Sequence, residues 1–195
     1  NVNFLTDEEL SSIREKEFSG KGLELVRDMF VFSCYTGLAY IDIFNLTKDQ
    51  LSKGIDGNLW IITNRQKTGS TSNIPLLPVA EEIIKKYENH PVSSNSGKLL
   101  PVYTNQKVNE YLKTIAENCG INKKLTFHCA RHTFATTVTL GNNVSMESVS
   151  KMLGHKSIKT TQHYAKILDS KVSQDMGSLK LVLEKKNEVQ KENDK

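Results

Sequence analysis

The stretch "FHCARHTFATTVTLG", residues 127–141, combines a helical pattern with a cluster of basic groups. It ends at Gly141, and glycine is common just after a helix, so we predict a helix that closes there. Arg131 lies three residues after His128, which places these two side chains on one helix face. A cation beside a histidine disfavours charge on both groups unless an anion sits between them. The stretch therefore predicts either an anion site or a solvent-facing helix surface.

The spacing of His128 and His132 also occurs in zinc sites. The metalloprotease pattern needs Glu directly after the first His, whereas Cys129 follows here, and no carboxylate cluster stands nearby in the sequence. We therefore expect no metal. The other two cysteines, Cys34 and Cys119, show no disulfide-type spacing with Cys129, which is typical of a protein in a reducing compartment.

The segment "LGHKSIKTTQHYAK", residues 153–166, holds three lysines, two histidines and Tyr164. Residues 121–171 carry eight Lys and Arg against two Asp and Glu, although the net charge of the whole chain is only +4. Such a segment favours a polyanionic partner, or it is a solvated surface. A phenol has a pKa near ~10, so Tyr164 is a poor nucleophile unless cations favour the phenolate. The alternative is a core tyrosine whose hydroxyl makes one hydrogen bond.

Helix signals dominate the rest of the chain. Thr6 and Glu9 form a capping-box pattern at the start of the first helix. A long, mostly apolar helix follows and ends at Gly37. The other predicted boundaries are a helix start at Pro78, a Ser/Gly loop at residues 91–98, a helix end at Gly120, a helix start at Ser145 and a helical C-terminal segment.

One hairpin interrupts the helices, at "NLWIITNRQKTGSTSNIPLLP", residues 58–78. Two runs with β-branched or apolar residues flank a Gly/Ser/Thr turn, which is a hairpin signal. We place Lys67 at the end of the first strand, so that Arg65 and Lys67 point to the same side. Two cations on one face indicate an anion or solvent. The predicted fold class is mainly α with a small antiparallel β-sheet (α+β).

Five motifs in this order resemble the catalytic domain of the tyrosine recombinases, or phage integrases. They are "TGLAYIDIFNL" (36–46), "RQKTG" (65–69), "HCARHTFAT" (128–136), "LGHKS" (153–157) and "TTQHYAK" (160–166). The match runs from about residue 5 to 171, and integrases of conjugative transposons and related mobile elements look most similar. The resemblance implies the tyrosine recombinase catalytic-domain fold and site-specific DNA recombination, here the integration and excision of a mobile element.

The resemblance also implies roles for single residues. Tyr164 matches the nucleophile, which forms a 3′-phosphotyrosyl link, and Lys67 matches the acid that protonates the leaving 5′ oxygen. Arg131 and His155 match groups that hold the phosphate oxygens, and His128 matches a group for proton transfer or orientation. No cofactor, nucleotide or metal is implied, because the phosphotyrosine conserves the bond energy.

One position departs from the family pattern. The family's first arginine falls at Ala39, and alanine cannot contact a phosphate. Arg65 is the candidate substitute and Arg27 a weaker one, while Asp42 matches an acidic position interpreted as structural. The alternative functions are a catalytically impaired DNA-binding or architectural protein on the same scaffold, and a relaxing topoisomerase with the same chemistry.

We assign residues 1–178 to the catalytic domain and 179–195 to a C-terminal helix or tail. A partial apolar stripe in that tail suggests exchange between neighbouring protomers. The chain does not begin with Met, and nothing in it resembles the family's N-terminal DNA-binding domains, so we expect a fragment. The implied partners are double-stranded DNA, three further copies in a tetramer on DNA (with a monomer in its absence) and accessory DNA-bending proteins. No apolar run approaches a membrane span, and we expect a cytoplasmic, nucleoid-associated protein.

Overall fold

The computed structural model describes residues 2–164, 172–173 and 176–185. The first helix, α1, spans Asp7–Glu15 and begins with the predicted capping box. Thr6 Oγ1 accepts from the Glu9 N–H, and the Glu9 carboxylate accepts from the Thr6 N–H. Two backbone donors that the helix leaves open are satisfied in this way.

The long apolar helix α2, Lys21–Thr36, lies at the centre of the fold. It packs against α1, α4 (Pro78–Tyr87), α6 (Asn105–Asn118) and α7 (Phe127–Thr133). The predicted end is confirmed, because Gly37 adopts a left-handed φ of 72° and its N–H donates to Ser33. The side chains of α2 that are fully buried in the main core are Val26, Met29, Phe30, Phe32 and Cys34.

A small sheet follows α3 (Tyr40–Asn45) and a short 3₁₀ turn. Its strands are β1 (Leu51–Lys53), β2 (Leu59–Asn64) and β3 (Thr71–Pro75), antiparallel and in the order β1-β2-β3. Ile61 on β2 pairs with Ile74 on β3, and both are fully buried. The predicted hairpin is therefore present, and β1 adds a third strand to it.

The placement of Arg65 and Lys67 on a common strand face was wrong. β2 ends at Asn64, and the next residues form a tight turn closed by the Gly69 N–H donating to the Arg65 carbonyl at 2.7 Å. Side chains in a turn do not alternate as they do along a strand. Arg65 is buried, whereas Lys67 is exposed.

The predicted loop at residues 91–98 is instead a short helix, α5, spanning Pro91–Ser96. Proline at the first helical position suits the fixed φ of that residue. The His90 side chain accepts from the Val92 N–H, and Gly97 ends the helix with a left-handed φ of 68°. These caps explain why a serine-rich segment forms a helix.

After α7 the helix continues, but with a wider turn, as a π-helical segment at Phe134–Thr139. The Thr139 hydroxyl donates to the Phe134 carbonyl at 2.7 Å. The chain then reverses at Asn143, with a φ of 67°, rather than at Gly141 as predicted. The elements that follow, up to residue 164, are a 3₁₀ turn Leu140–Asn142, α8 (Met146–Met152, capped by Ser145 as predicted), α9 (Ile158–Thr161) and a 3₁₀ turn Gln162–Tyr164.

Near the C-terminus, residues 176–185 form an exposed helical segment. Leu179, Val182 and Leu183 of the predicted apolar stripe are each about half exposed there, and Val189 lies outside the described residues. Within the described part of the chain, no helix has the length and apolar character to cross a bilayer.

Candidate active site

A cavity of about 480 Å³ brings together side chains from distant parts of the sequence. The hairpin turn forms one side of it, and α7, the loop before α9 and the last 3₁₀ turn form the other. All six predicted site residues line this cavity: Arg65, Lys67, His128, Arg131, His155 and Tyr164. The excess of positive charge in this lining suits an anion.

Arg131 is almost completely buried, at 3% exposure. Its Nη1 donates to the Gly37 carbonyl and its Nη2 to the Leu153 carbonyl, both at 2.6 Å. Within the described residues, no carboxylate lies at ion-pair distance from it. Burial, with a contribution from Arg65, lowers the pKa of Arg131 to about 10, so the guanidinium keeps its charge at neutral pH. A buried cation held only by dipoles is ready to receive an anion.

Two glycines of the motifs allow this arrangement. A Cβ on Gly37 would meet Phe134 and Leu153, so glycine lets the "TGL" segment approach the π-helical segment and the end of α8 closely. A Cβ on Gly154 would lie 2.6 Å from the Ser72 hydroxyl. Gly154 also has a φ of +61°, which residues other than glycine rarely adopt. The "LGH" segment can therefore lie directly against β3.

His155 is fixed by two neighbours. Its Nε2 lies 3.2 Å from Arg131 Nη2, and its Nδ1 lies 2.8 Å from the buried hydroxyl of Thr161. Because a guanidinium can only donate, Nε2 accepts and the neutral ring carries its proton on Nδ1. Burial first, and then Arg131, lower the pKa of His155 to about 4.

Two further cavity histidines, His128 and His132, lie on α7 and contact each other. The rings of His128 and His132 meet edge to face, with centroids 4.3 Å apart. Burial lowers the pKa of both, assisted by Arg131, and the pKa of His132 falls to about 4. In the absence of DNA these imidazoles are therefore neutral at pH 7.

Tyr164 is buried at 6% exposure, in a small cluster with Phe134 and Leu153. Its hydroxyl lies 2.9 Å from Nδ1 of His132. The sequence led us to expect that cations would favour the phenolate. Arg131 and Arg65 do act in that direction, but burial outweighs them and raises the pKa of Tyr164. The nucleophile candidate is thus a protonated phenol in this structure.

Asp42 on α3 organises the hairpin side of the cavity. Its carboxylate accepts from the Gln66 N–H at 3.0 Å and lies 3.8 Å from Arg65 Nε. A separation of 3.8 Å allows an ion pair but is too long for a hydrogen bond. Arg65 Nε is buried and has no hydrogen-bond partner in the described structure. Arg65 is therefore close to the cavity with unused donor capacity.

A larger cavity, about 560 Å³, lies between the sheet and α8. It includes His155, Lys151 and Trp60 but neither Arg131 nor Tyr164. We locate the candidate chemistry in the smaller cavity, because only that one combines buried cations with a phenol. Among the described residues, no group of three or more His, Cys, Asp or Glu is arranged to hold a metal ion.

A family model described as the phage integrase family matches residues 3–171. The chain belongs to the phage integrase family. It is 29% identical over 170 residues to "Tyrosine recombinase XerC" of Rickettsia canadensis (strain McKiel), an alignment that covers 82% of this chain and 50% of that protein. The chain thus spans about half the length of the curated relatives it matches.

Solved structures share the fold of this phage integrase family member. The crystal structure of XerA recombinase has a TM-score of 0.69 at 21% identity, covering 89% of this chain and 65% of that one. The Tn1549 transposon integrase in complex with a circular intermediate DNA has a TM-score of 0.62 at 18% identity, covering 84% and 61%. The predicted fold class is confirmed.

The structure separates the two arginines considered as replacements at Ala39. Arg27 donates to the backbone carbonyls of Arg14 and Lys16 and pairs with Asp28 at 2.6 Å, so it is engaged away from the cavity. Arg65 lines the cavity. Of the two, only Arg65 is positioned to act in this member of the phage integrase family.

Sequence reasoning missed three contributions to the site. It considered His132 only as a metal ligand, whereas the ring touches Tyr164. It gave no role to Thr161, which fixes the His155 tautomer, or to the Gly37 carbonyl, which holds Arg131. The signal for His132 was its place directly after Arg131 in a motif already assigned to the site. The Gly37 carbonyl lies 94 residues from Arg131 and Thr161 lies six residues from His155, so neither contact follows a helix or strand repeat.

Proposed function

We propose that this chain is the catalytic part of a tyrosine-type site-specific recombinase that cleaves and rejoins double-stranded DNA. The observation that carries the proposal is the cavity in which a buried phenol, Tyr164, shares one lining with Arg131, His155 and Lys67. Membership of the phage integrase family supports the same reaction.

The chemistry follows from the positions of these groups. A DNA phosphate enters the cavity and raises the pKa of His155, so that the protonated ring can donate. Arg131 and His155 then hold the non-bridging phosphate oxygens and stabilise the charge of the transition state. The Tyr164 oxygen attacks phosphorus and gives up its proton to a cavity imidazole. The family resemblance implies His128 for this role, whereas in the described structure the hydroxyl is within hydrogen-bond distance of His132. The bond to the 5′ oxygen breaks, and that oxygen takes a proton from Lys67. The product is a 3′-phosphotyrosyl link with a free 5′-hydroxyl.

A nicked suicide duplex tests this proposal, because loss of the short cleaved strand traps the covalent adduct. We expect an adduct on a denaturing gel with the wild-type chain and none with Tyr164→Phe, which removes only the hydroxyl. Tyr103→Phe is the matched control, since it removes a phenol oxygen from a ring outside the cavity. Adducts at the wild-type level in Tyr164→Phe would refute the assignment.

A second candidate function is favoured by Ala39: a DNA-binding or architectural protein with impaired catalysis. Loss of one preorganised donor typically costs a factor of about 10²–10³ in rate. We propose that Arg65 offsets this loss, because it is buried beside the cavity and its Nε lacks a hydrogen-bond partner among the described residues. DNA binding without any adduct on the suicide duplex would favour the architectural function.

We further propose that the natural substrate is a mobile element that the protein integrates and excises. The support is the family resemblance and the shared fold with the Tn1549 transposon integrase, which was solved in complex with a circular intermediate DNA. The assay that tests this uses two plasmids, one with a circular-element junction and one with a target site. Recombination only between identical chromosomal sites would contradict it.

We propose that four copies assemble on DNA by exchange of the C-terminal segment, residues 179–195. Leu179, Val182 and Leu183 are each about half exposed, so part of their apolar surface is open to a neighbouring protomer. Truncation after Ser178 should leave the folded monomer intact and abolish synaptic complexes in a gel-shift assay. A matched full-length control carries Lys180→Ala on the same helix. Unfolding of the truncated protein would instead show that the segment packs on its own domain.

A further inference from the structure

The hydroxyl of Tyr164 has one hydrogen-bond partner among the described residues, and that partner is His132. The two rings tilt towards each other at a centroid distance of 5.6 Å. His128 contacts the ring of His132 but has no hydrogen bond to Tyr164 in the described structure. The geometry thus connects the tyrosine to the second histidine of α7.

His132 is held firmly enough to orient another group. It follows Arg131, whose guanidinium is fixed by two backbone carbonyls. The carbonyl of His132 accepts from the Thr136 hydroxyl at 2.7 Å, and its ring packs edge to face against the ring of His128. The π-helical segment begins two residues after His132, at Phe134. Such π turns inside helices are frequent at functional sites. The backbone and the ring of His132 are therefore both anchored.

The direction of the hydrogen bond matters for reactivity. A neutral imidazole has one acceptor nitrogen, and a phenol has one proton to donate. When the phenol donates to Nδ1, its lone pairs stay open to the cavity where a phosphate would sit. The opposite tautomer would place an N–H on the attacking oxygen and occupy a lone pair.

We propose that His132 is a positioning residue for the nucleophile: its Nδ1 accepts the hydrogen bond of the Tyr164 hydroxyl and sets the direction of the attacking oxygen. This assignment rests on the proposed function, in which Tyr164 attacks the phosphate. It adds a residue to the six that the sequence placed in the site.

The test compares three substitutions in single-turnover cleavage of the nicked suicide duplex. His132→Leu removes the acceptor and should lower the rate on the order of 100-fold, the usual effect of a misplaced reacting group. His132→Asn places an amide oxygen near the former Nδ1 and should recover most of the rate. His132→Gln carries its amide one bond further out and should resemble His132→Leu. DNA affinity should change little, because a neutral ring is removed.

A second readout does not depend on cleavage. Unfolding midpoints of His132→Leu, Tyr164→Phe and the double variant form a thermodynamic cycle. We expect the second substitution to cost less once the first has been made, since both break one hydrogen bond. Additive midpoints would overturn the contact.

Failure of the role of His132 and failure of the proposed function would give different results. A wild-type cleavage rate in His132→Leu, together with no adduct in Tyr164→Phe, overturns the role of His132 and leaves the proposed function intact. A persistent adduct in Tyr164→Phe overturns the proposed function, and the role of His132 with it. Equal rate losses in the Asn and Leu variants would also overturn the role, because a merely structural ring would produce that result.

Discussion

The two sides of the cavity are built differently. On the α7 side, Arg131 and Tyr164 are buried, and backbone carbonyls or a neighbouring ring hold their polar atoms. On the hairpin side, Lys67 is exposed and lies in a tight turn. That turn is tied to the domain through Gln66, whose N–H donates to Asp42 and whose side chain accepts from Asn45 at 2.8 Å.

This difference corresponds to two kinds of task in the proposed reaction. Groups that stabilise charge in a transition state work best when their geometry is fixed beforehand, since no reorganisation is then needed. A group that delivers a proton to a leaving oxygen must reach an atom whose position DNA determines. A lysine on an exposed turn has a long side chain with rotational freedom for that purpose. The α7 side would be preorganised, and the turn would adapt.

The largest effect is expected at the turn. Lys67→Ala should lower cleavage by about 10²–10⁴-fold, the usual contribution of a general acid. A substrate with sulfur at the bridging 5′ position needs no proton on departure, so it should restore cleavage by Lys67→Ala. It should not restore Arg131→Ala, which lacks charge stabilisation rather than a proton. The measurement is the single-turnover rate on the oxygen and sulfur substrates.

Lys113→Ala is the matched control for that experiment, because it removes an exposed lysine from α6, outside the cavity. It should behave like the wild type on both substrates. Equal failure of Lys67→Ala and Arg131→Ala on the sulfur substrate would show that the two sides of the cavity do not divide the work in this way.

The sequence was sufficient where local chemistry decides the structure. The Thr6–Glu9 capping box and the end of α2 at Gly37 follow from short patterns, and both are present. The prediction from sequence failed at α5, because the helix start there depends on a side-chain cap from His90, which is an unusual capping residue. It also failed where a strand ends early, as β2 does at Asn64.

For the candidate site, family motifs brought the right residues together but not their contacts. All six predicted residues line one cavity. The two carbonyls that hold Arg131, however, lie 94 and 22 residues from it in the sequence, and the hydroxyl that contacts His155 lies 6 residues away. Hydrophobic periodicity does not predict such pairs. The expected effect of cations on Tyr164 was also incomplete, because burial cannot be read from neighbouring charges.

The second prediction concerns Arg65, which lies at the junction of the two sides. Although it belongs to the turn, it is buried, like the groups of the α7 side. If it takes the place of the arginine missing at Ala39, Arg65→Ala should lose about 10²–10³-fold in cleavage, roughly 3 kcal/mol, at nearly unchanged DNA affinity. Arg65→Lys should recover little, since lysine lacks the planar fork. Cleavage rates and affinities are measured separately.

The double variant Ala39→Arg, Arg65→Ala sharpens this prediction. Recovery of cleavage would show that the two positions serve the same phosphate. A loss confined to affinity in Arg65→Ala, and restored by Arg65→Lys, would reduce Arg65 to a contact with a non-reacting phosphate.

The smallest expected effect is a dependence of stability on pH that originates on the α7 side alone. Burial, together with His128 and Arg131 for His132 and with Arg131 for His155, lowers the pKa of both rings to about 4. The value in an unfolded chain is about 6.5. Between these values the unfolded chain binds more protons than the folded one, so stability falls as pH drops through this window. We expect the unfolding midpoint to decrease between about pH 7.5 and about pH 5.5, where carboxylates remain largely ionised.

Two variants locate the origin of that slope. His155→Asn should flatten it, because one depressed imidazole is gone, whereas Lys113→Ala removes an exposed charge outside the cavity and should preserve it. A DNA duplex should also flatten it, since a phosphate beside Arg131 favours the protonated rings and raises their pKa. A slope identical in the His155→Asn variant, or one unaffected by DNA, would mean that the neutral histidines of the α7 side do not face the phosphate.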